Sequence, residues 1–303
     1  MSQTRFSGVL APVITPFTDN LRPDSQRFIK HCNWIVTQGA NLAVFGTNSE
    51  ANSLNLAEKI HLLEELVMAG VNPEKLMPGT GCCALSDSII LTKRAVELGC
   101  GGVLMLPPFY YKGVSDQGLF DFYAQVIESV ADDKLNIYLY HIPPISQISI
   151  SLGLVEKLAA KYPINIAGIK DSSGDWNQTQ AFNDLAIENF AVFCGSESFL
   201  LQNMRTGGAG CISATANVNP SAIMGLYKHW QDSGAEQRQK DLNKIRIIFQ
   251  AYPMIPALKA ATAMYGEDSE WVRVRPPLTQ LTDEQNSDLS RELSSTDFKM
   301  PGL

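Results

Sequence analysis

The sequence predicts an α/β fold, a (β/α)8 TIM barrel with a C-terminal helical extension. Three observations predict it. Eight short apolar runs recur along the chain, stretches with helical spacing separate them, and no Pro- or Ser-rich linker divides them. Strands covered on both faces read as continuous apolar runs, and regular alternation with helices reads as a parallel sheet closed on itself.

In order, the runs are GVLAPVI (8–14), LAVFG (42–46), KLMPGT (75–80), GGVLMLP (101–107), NIYLY (136–140), NIAGIK (165–170), FAVFC (190–194) and GCISA (210–214). After the second run, Leu56, Ile60, Leu63 and Val67 share one helical face, while Glu58, Lys59 and Glu65 point elsewhere. An open doubly wound sheet is the alternative. Eight units, and no GxGxxG after the first strand, weigh against it. Beyond about residue 233 the strand signals stop, and helical segments near 235–250, 254–265 and 282–296 follow. The expected division is residues 1–232 for the barrel and 233–303 for the extension.

Composition narrows the function. The 303 residues are 45% apolar and 18% charged, the profile of an ordinary globular protein. The net charge is −7 with no basic run, so neither nucleic acid nor an acidic membrane surface is an expected partner. Stretches such as Gly101 to Leu106 are far too short to span a bilayer. The N-terminal MSQTRFSGVLAPVITPF breaks at Pro12 and Pro16 and reads as a first strand, not a signal peptide, so a cytoplasmic location is expected. Six cysteines (Cys32, Cys82, Cys83, Cys100, Cys194, Cys211) lack CxxC spacing, and the four histidines (His31, His61, His141, His229) do not gather near them. No metal is expected from that pattern, the thiols are expected to be reduced and mostly buried, and no cofactor is indicated.

Barrel enzymes place their reacting groups at the C-terminal ends of strands. Three polar clusters occupy such ends: Gly46-Thr47-Asn48-Ser49-Glu50, Tyr140 and Lys170. Lys170 closes an apolar strand, where an ammonium tends to lose its proton or find a carboxylate. A neutral amine there can attack a ketone and form an iminium, an electron sink. A structural ion pair with Asp171 fits the residues equally well. Tyr140 can shuttle protons or simply be a half-buried aromatic, with Pro143 and Pro144 fixing the outgoing loop. The GTNSE turn is either a nest for a carboxylate or an ordinary turn before a helix. CGSES could open a helix that holds a phosphate, although a plain cap by Ser196 or Ser198 is the preferred reading.

GTNSE (46–50), PPFYYK (107–112), YHIPP (140–144), GIKDSSGD (168–175), GCISATANVNP (210–220) and RPPL (275–278) together resemble the dihydrodipicolinate synthase/N-acetylneuraminate lyase family of class I aldolases. The resemblance spans essentially the whole chain. It implies that Lys170 forms a Schiff base with a pyruvate-like 2-oxo acid and that Tyr140 moves the protons. Thr47 would link Tyr140 to a second tyrosine donated by a neighbouring subunit, Tyr111 or the adjacent Tyr110. The backbone N–H groups of Thr47 and Asn48 would hold the pyruvyl carboxylate, and the Ile212 carbonyl would face the lysine. A homo-oligomer, a dimer of dimers, is implied.

Departures from the pattern choose among branches. Ile145 stands where true synthases resemble one another in an arginine that grips a second carboxylate. After Gly195, only Glu197 matches the acidic pair of sialic acid lyases; Ser198 replaces the second acid, and Ala214 replaces a sugar-binding serine. Asn48 and Ser172 resemble 4-hydroxy-2-oxoglutarate aldolases, whereas Ser49 in place of the customary glycine departs from all three groups. The expected enzyme is therefore an aldolase that cleaves or forms a 4-hydroxy-2-oxo acid, yielding pyruvate or glyoxylate plus an aldehyde or oxo acid. Its expected substrate contacts are Asn48, Ser172, Ile212, Gly195 and Glu197. 2-Keto-3-deoxy sugar acids stay open as substrates, as do N-acetylneuraminate lyase and dihydrodipicolinate synthase activities and dehydration through the same iminium. A ligand-binding regulator on the same barrel is the non-enzyme alternative. The intact trio of Lys170, Tyr140 and Thr47 argues against it.

Overall fold

Among the described residues, apolar runs flanked by turn-formers fold into seven parallel strands: β1 (Gly8–Ala11), β2 (Asn41–Leu42), β3 (Val103–Met105), β4 (Ile137–His141), β5 (Ile166–Asp171), β6 (Ala191–Cys194) and β7 (Gly210–Ile212). The computed structural model describes residues 5–303. Hydrogen bonding orders the sheet β2-β1-β7-β6-β5-β4-β3. The two edge strands, β2 and β3, curl toward one another around the segment expected as the third strand.

That segment, 75–80, forms no continuous ladder. It makes single parallel bridges, Leu42 to Leu76 and Gly79 to Leu104. Met77 N donates to Leu42 O at 2.8 Å, Gly79 N to Val44 O at 2.7 Å, and Leu104 N to Pro78 O at 2.9 Å. Pro78 has no N–H to donate, which interrupts the ladder. The expected first strand likewise ends early, at Ala11, because Pro12 follows it.

Among the described residues, twelve helices connect and cover the strands. They are α1 (Ser25–Thr37), α2 (Leu56–Met68), α3 (Leu85–Glu97), α4 (Asp116–Val130), α5 (Pro143–Ser146), α6 (Leu152–Lys161), α7 (Trp176–Asp184), α8 (Leu200–Arg205), α9 (Pro220–Lys228), α10 (Ala235–Gln250), α11 (Met254–Tyr265) and α12 (Asp283–Ser294). Side-chain caps start many of them. Asp24, Ser115, Ser151 and Asp175 each accept from a first-turn N–H, and Asn55 and Thr282 form full capping boxes with Glu58 and Gln285.

Alternation along each strand splits the core into two layers. Leu10, Ala43, Met77, Leu104, Tyr138, Tyr140, Phe193 and Ile212 cluster on the inner face of the curl. Leu139, Ile169 and Val192 belong to the larger cluster between sheet and helices. α11 packs against α12 and also reaches the turns Thr47–Ser49 and Ala214–Asn217. That contact brings the last part of the chain to the C-terminal ends of the strands.

Candidate active site

The register of β4 and β5 sets Tyr140 beside Lys170, and Lys170 in turn beside Phe193. Partners in register share a face, so all three side chains point to the inner side. Lys170 Nζ lies 4.2 Å from the centre of the Tyr140 ring. Both residues are buried, at 2% and 3% exposure.

Asp171, one position on, falls on the opposite face. Its carboxylate accepts from Ser173 N at 3.0 Å, Ser173 Oγ at 2.9 Å and Thr179 Oγ1 at 2.5 Å. It also sits 3.9 Å from His141 Nε2. His141 Nδ1 accepts from Ile150 N at 3.0 Å, and burial holds this imidazole below its usual pKa while Asp171 pulls it upward. Asp171 is thus satisfied on the helix side of the sheet and does not serve as the partner of Lys170.

The GTNSE turn reaches the same face. Phe45 (φ 61) and Glu50 (φ 55) adopt left-handed backbone on either side of a 3-10 turn, Thr47–Ser49. Thr47 Oγ1 and Tyr140 OH are 3.1 Å apart. Ser49 is buried and closes the turn: Gly46 N donates to its Oγ at 3.1 Å, and Thr15 Oγ1 donates to its carbonyl at 2.7 Å. At the open start of the turn, the N–H groups of Thr47 and Asn48 have no backbone acceptor among the described residues. A small cavity bordered by Gly46, Thr47, Gly81, Leu106 and Tyr140 opens beside them.

Gly195 and Ser172 close another side of the rim. Gly195 N donates to Asp171 O at 2.6 Å. A Cβ on Gly195 would stand 2.1 Å from Ser172 Oγ and 2.7 Å from Asp171 O, so only glycine permits this approach of β6 to β5. Ile212 ends β7 on the inner face, one residue before Ser213 N donates to Leu10 O at 3.2 Å.

Glu197 and the Tyr110–Tyr111 pair lie away from this rim in the single chain. Glu197 is buried, and its carboxylate accepts from Ser213 Oγ and Thr215 Oγ1 and lies 3.4 Å from Arg246 Nη1. Its carbonyl accepts from Gln239 Nε2 at 2.9 Å. Because Ile212 points inward, the next residue, Ser213, points to the helices, and Glu197 is drawn there toward α10. Tyr110 and Tyr111 are each 74% exposed and pack edge to face at 5.3 Å. Lys112 Nζ ties their loop to α5 through Ser146 O at 2.7 Å. In the single chain neither tyrosine hydrogen-bonds to Thr47 or Tyr140. The sequence reading missed the Arg246 network and the Lys259–Glu50 pair, because each cation's partner lies far away along the chain.

Among the described residues, no group of three or more His, Cys, Asp or Glu could hold a metal ion. Nor is any helix there long and apolar enough to cross a membrane.

Comparison with known proteins decides the family. The model of the dihydrodipicolinate synthetase family matches residues 5–296. The chain belongs to that family. A 4-hydroxy-tetrahydrodipicolinate synthase of Methanopyrus kandleri is 29% identical over 95% of this chain and 96% of its own. A probable 2-dehydro-3-deoxy-D-pentonate aldolase of Escherichia coli is 27% identical over 92% of this chain and 94% of its own. Among solved structures, a prophage protein of the same family from E. coli, in complex with pyruvate, superposes with a TM-score of 0.87 at 26% identity, covering 96% of this chain and 98% of its own. The chain is therefore an enzyme, an aldolase or lyase of the dihydrodipicolinate synthetase family with that family's barrel-type fold.

Proposed function

We propose that the enzyme reversibly cleaves a 4-hydroxy-2-oxo acid to pyruvate, or glyoxylate, and an aldehyde or oxo acid through a Schiff base on Lys170. The adjacency of Lys170 to Tyr140, itself bonded to Thr47 at 3.1 Å, carries this reading. Lys170 Nζ adds to the C2 ketone, and the carbinolamine hydroxyl leaves as water with the phenolic proton of Tyr140, giving the protonated iminium and the Tyr140 phenolate. Tyr140, as phenolate, takes the proton of the C4 hydroxyl while the C3–C4 electron pair flows into the iminium. The aldehyde leaves, the enamine takes that proton from Tyr140 at C3, and water adds to the iminium, releasing pyruvate and the amine while the proton set free returns to Tyr140. Thr47 and Asn48 N–H groups hold the substrate carboxylate, Ser172 and Gly195 border it, and the Ile212 carbonyl faces the nitrogen.

Ile145 favours this branch over the synthase. It lies in α5, is 62% exposed, and offers no charge to a second carboxylate. Glu197, held by Arg246 and two hydroxyls, is not free to grip sugar hydroxyls, which disfavours a sialic acid lyase. We further read segment 75–80 as the eighth stave of the barrel, residues 233–303 as its helical extension, and the active form as a cytoplasmic homo-oligomer in which Tyr111 enters a neighbour's site.

Borohydride trapping tests the chemistry. Pyruvate plus borohydride should leave one reduced pyruvyl group per chain on the Lys170 peptide, and none in Lys170→Ala. Label on another lysine would overturn the mechanism. Side-by-side kcat/KM values test the branch, and efficient condensation of pyruvate with aspartate semialdehyde would return the enzyme to the synthases.

A further inference from the structure

The turn that carries Thr47 and Asn48 is anchored from far along the chain. Glu50 closes the turn, and its carboxylate has no exposed surface. It pairs with Lys259 of α11 and accepts from Arg275 N at 3.0 Å. Lys259, also wholly buried, donates to Arg273 O at 2.6 Å and lies 4.5 Å from the centre of the Phe17 ring. Arg275, first residue of the RPPL motif, extends the clamp. Its guanidinium grips Glu58 at 2.9 and 2.5 Å and donates to Ser53 O at 2.6 Å, at the step from the turn into α2.

So enclosed a pair is a poor device for stability alone. Desolvating two charges offsets most of their attraction, and apolar side chains of similar volume often serve a core as well or better. Burial pulls the Lys259 ammonium down to about 8, against the upward pull of Glu50. What the charges add is direction, because an ion pair with backbone bonds at both ends permits one placement of Glu50 where apolar packing permits several. Glu50 N donates to Thr47 O at 3.1 Å, so that placement passes directly to the residues whose N–H groups stand open.

We propose that Lys259 and Glu50 are positioning residues for the substrate carboxylate, fixing the Thr47–Asn48 N–H groups from the C-terminal helices. The proposal rests on the reading that those N–H groups hold the carboxylate. Its signature is a loss of discrimination between pyruvate and pyruvamide, which share the ketone and differ in the carboxylate.

The test titrates both compounds by borohydride trapping on Lys170 in full-length wild type, Glu50→Gln, and the double variant Lys259→Met with Glu50→Leu. Glu50→Gln keeps the side-chain volume, and the double variant removes both charges together so that neither is left buried alone. Folding is checked by circular dichroism and thermal unfolding. The wild type should prefer pyruvate, and both variants should lose at least about 10-fold of that preference, equivalent to one hydrogen bond to a charged group. The maximal rate at saturating substrate should fall less than the affinity. Folded variants that keep the preference, whatever their melting temperature, would overturn the positioning role. A wild type without the preference would instead sink the carboxylate reading beneath it.

Discussion

Replacing Thr47 by valine separates proton movement from substrate binding. Valine keeps the shape and the backbone N–H of Thr47 but deletes the hydroxyl 3.1 Å from Tyr140 OH. Tyr140 is only 3% exposed, so water is a poor replacement partner. A buried polar group left without its partner loses about 1–3 kcal/mol. That loss corresponds to about 5- to 150-fold in rate if it falls on the transition state. Turnover of a 4-hydroxy-2-oxo acid, followed by coupled reduction of the released pyruvate, should drop within that range. The pyruvate concentration that half-saturates borohydride trapping should barely move, since the backbone donors persist. Thr47→Ser restores an oxygen and should restore most of the rate. A valine variant as fast as wild type, or a serine variant as slow as the valine one, would refute a role for the hydroxyl in relaying protons.

Mixed oligomers test the exposed tyrosine pair: Lys170→Ala chains combined with Tyr111→Phe chains should recover activity absent from either parent, and verified mixtures without recovery would remove Tyr111 from the neighbour's site. Acid stability tests His31, a buried ring 5.6 Å from Trp34 and 5.0 Å from Trp271 whose pKa burial lowers from 6.5 to about 3. A lowered folded-state pKa contributes stability in full above 6.5 that is lost as pH falls toward 3. At pH 5 the unfolded chain lies about 1.5 decades below its own pKa, worth about 2 kcal/mol, so His31→Phe should shrink the stability drop between pH 7 and 5 by that amount. Equal drops in urea unfolding would show that the imidazole charges freely in the folded protein.

Local patterns were legible in the sequence; long-range ones were not. The spacing of apolar residues located the helices near 235–250 and 254–265, found as Ala235–Gln250 and Met254–Tyr265. Helical periodicity depends on neighbours a few residues away. Strand ends proved harder. Pro12 and Pro78 were visible as letters, but reading their effect requires knowing which N–H the neighbouring strand needs. Tyr140 and Lys170 stood out because each closes an apolar run, and the family resemblance then implied their roles. Glu197 sat beside the rim in sequence as well, yet its direction depends on the inward turn of Ile212 and on Arg246, both distant. Lys259 carried no signal in the sequence because its partner, Glu50, lies 209 residues earlier.

That same separation orders events in time as well as space. A chain synthesised at about 5–20 residues per second needs roughly 10–40 s to advance from Glu50 to Lys259. During that interval Lys170 has already been made, and its strand and that of Tyr140 can begin to pair. The turn with the open N–H groups is still without its anchor. On the proposed mechanism, a nascent chain therefore carries its Schiff-base lysine before the turn that would hold the carboxylate is anchored, and the site is finished only after the C-terminal helices arrive.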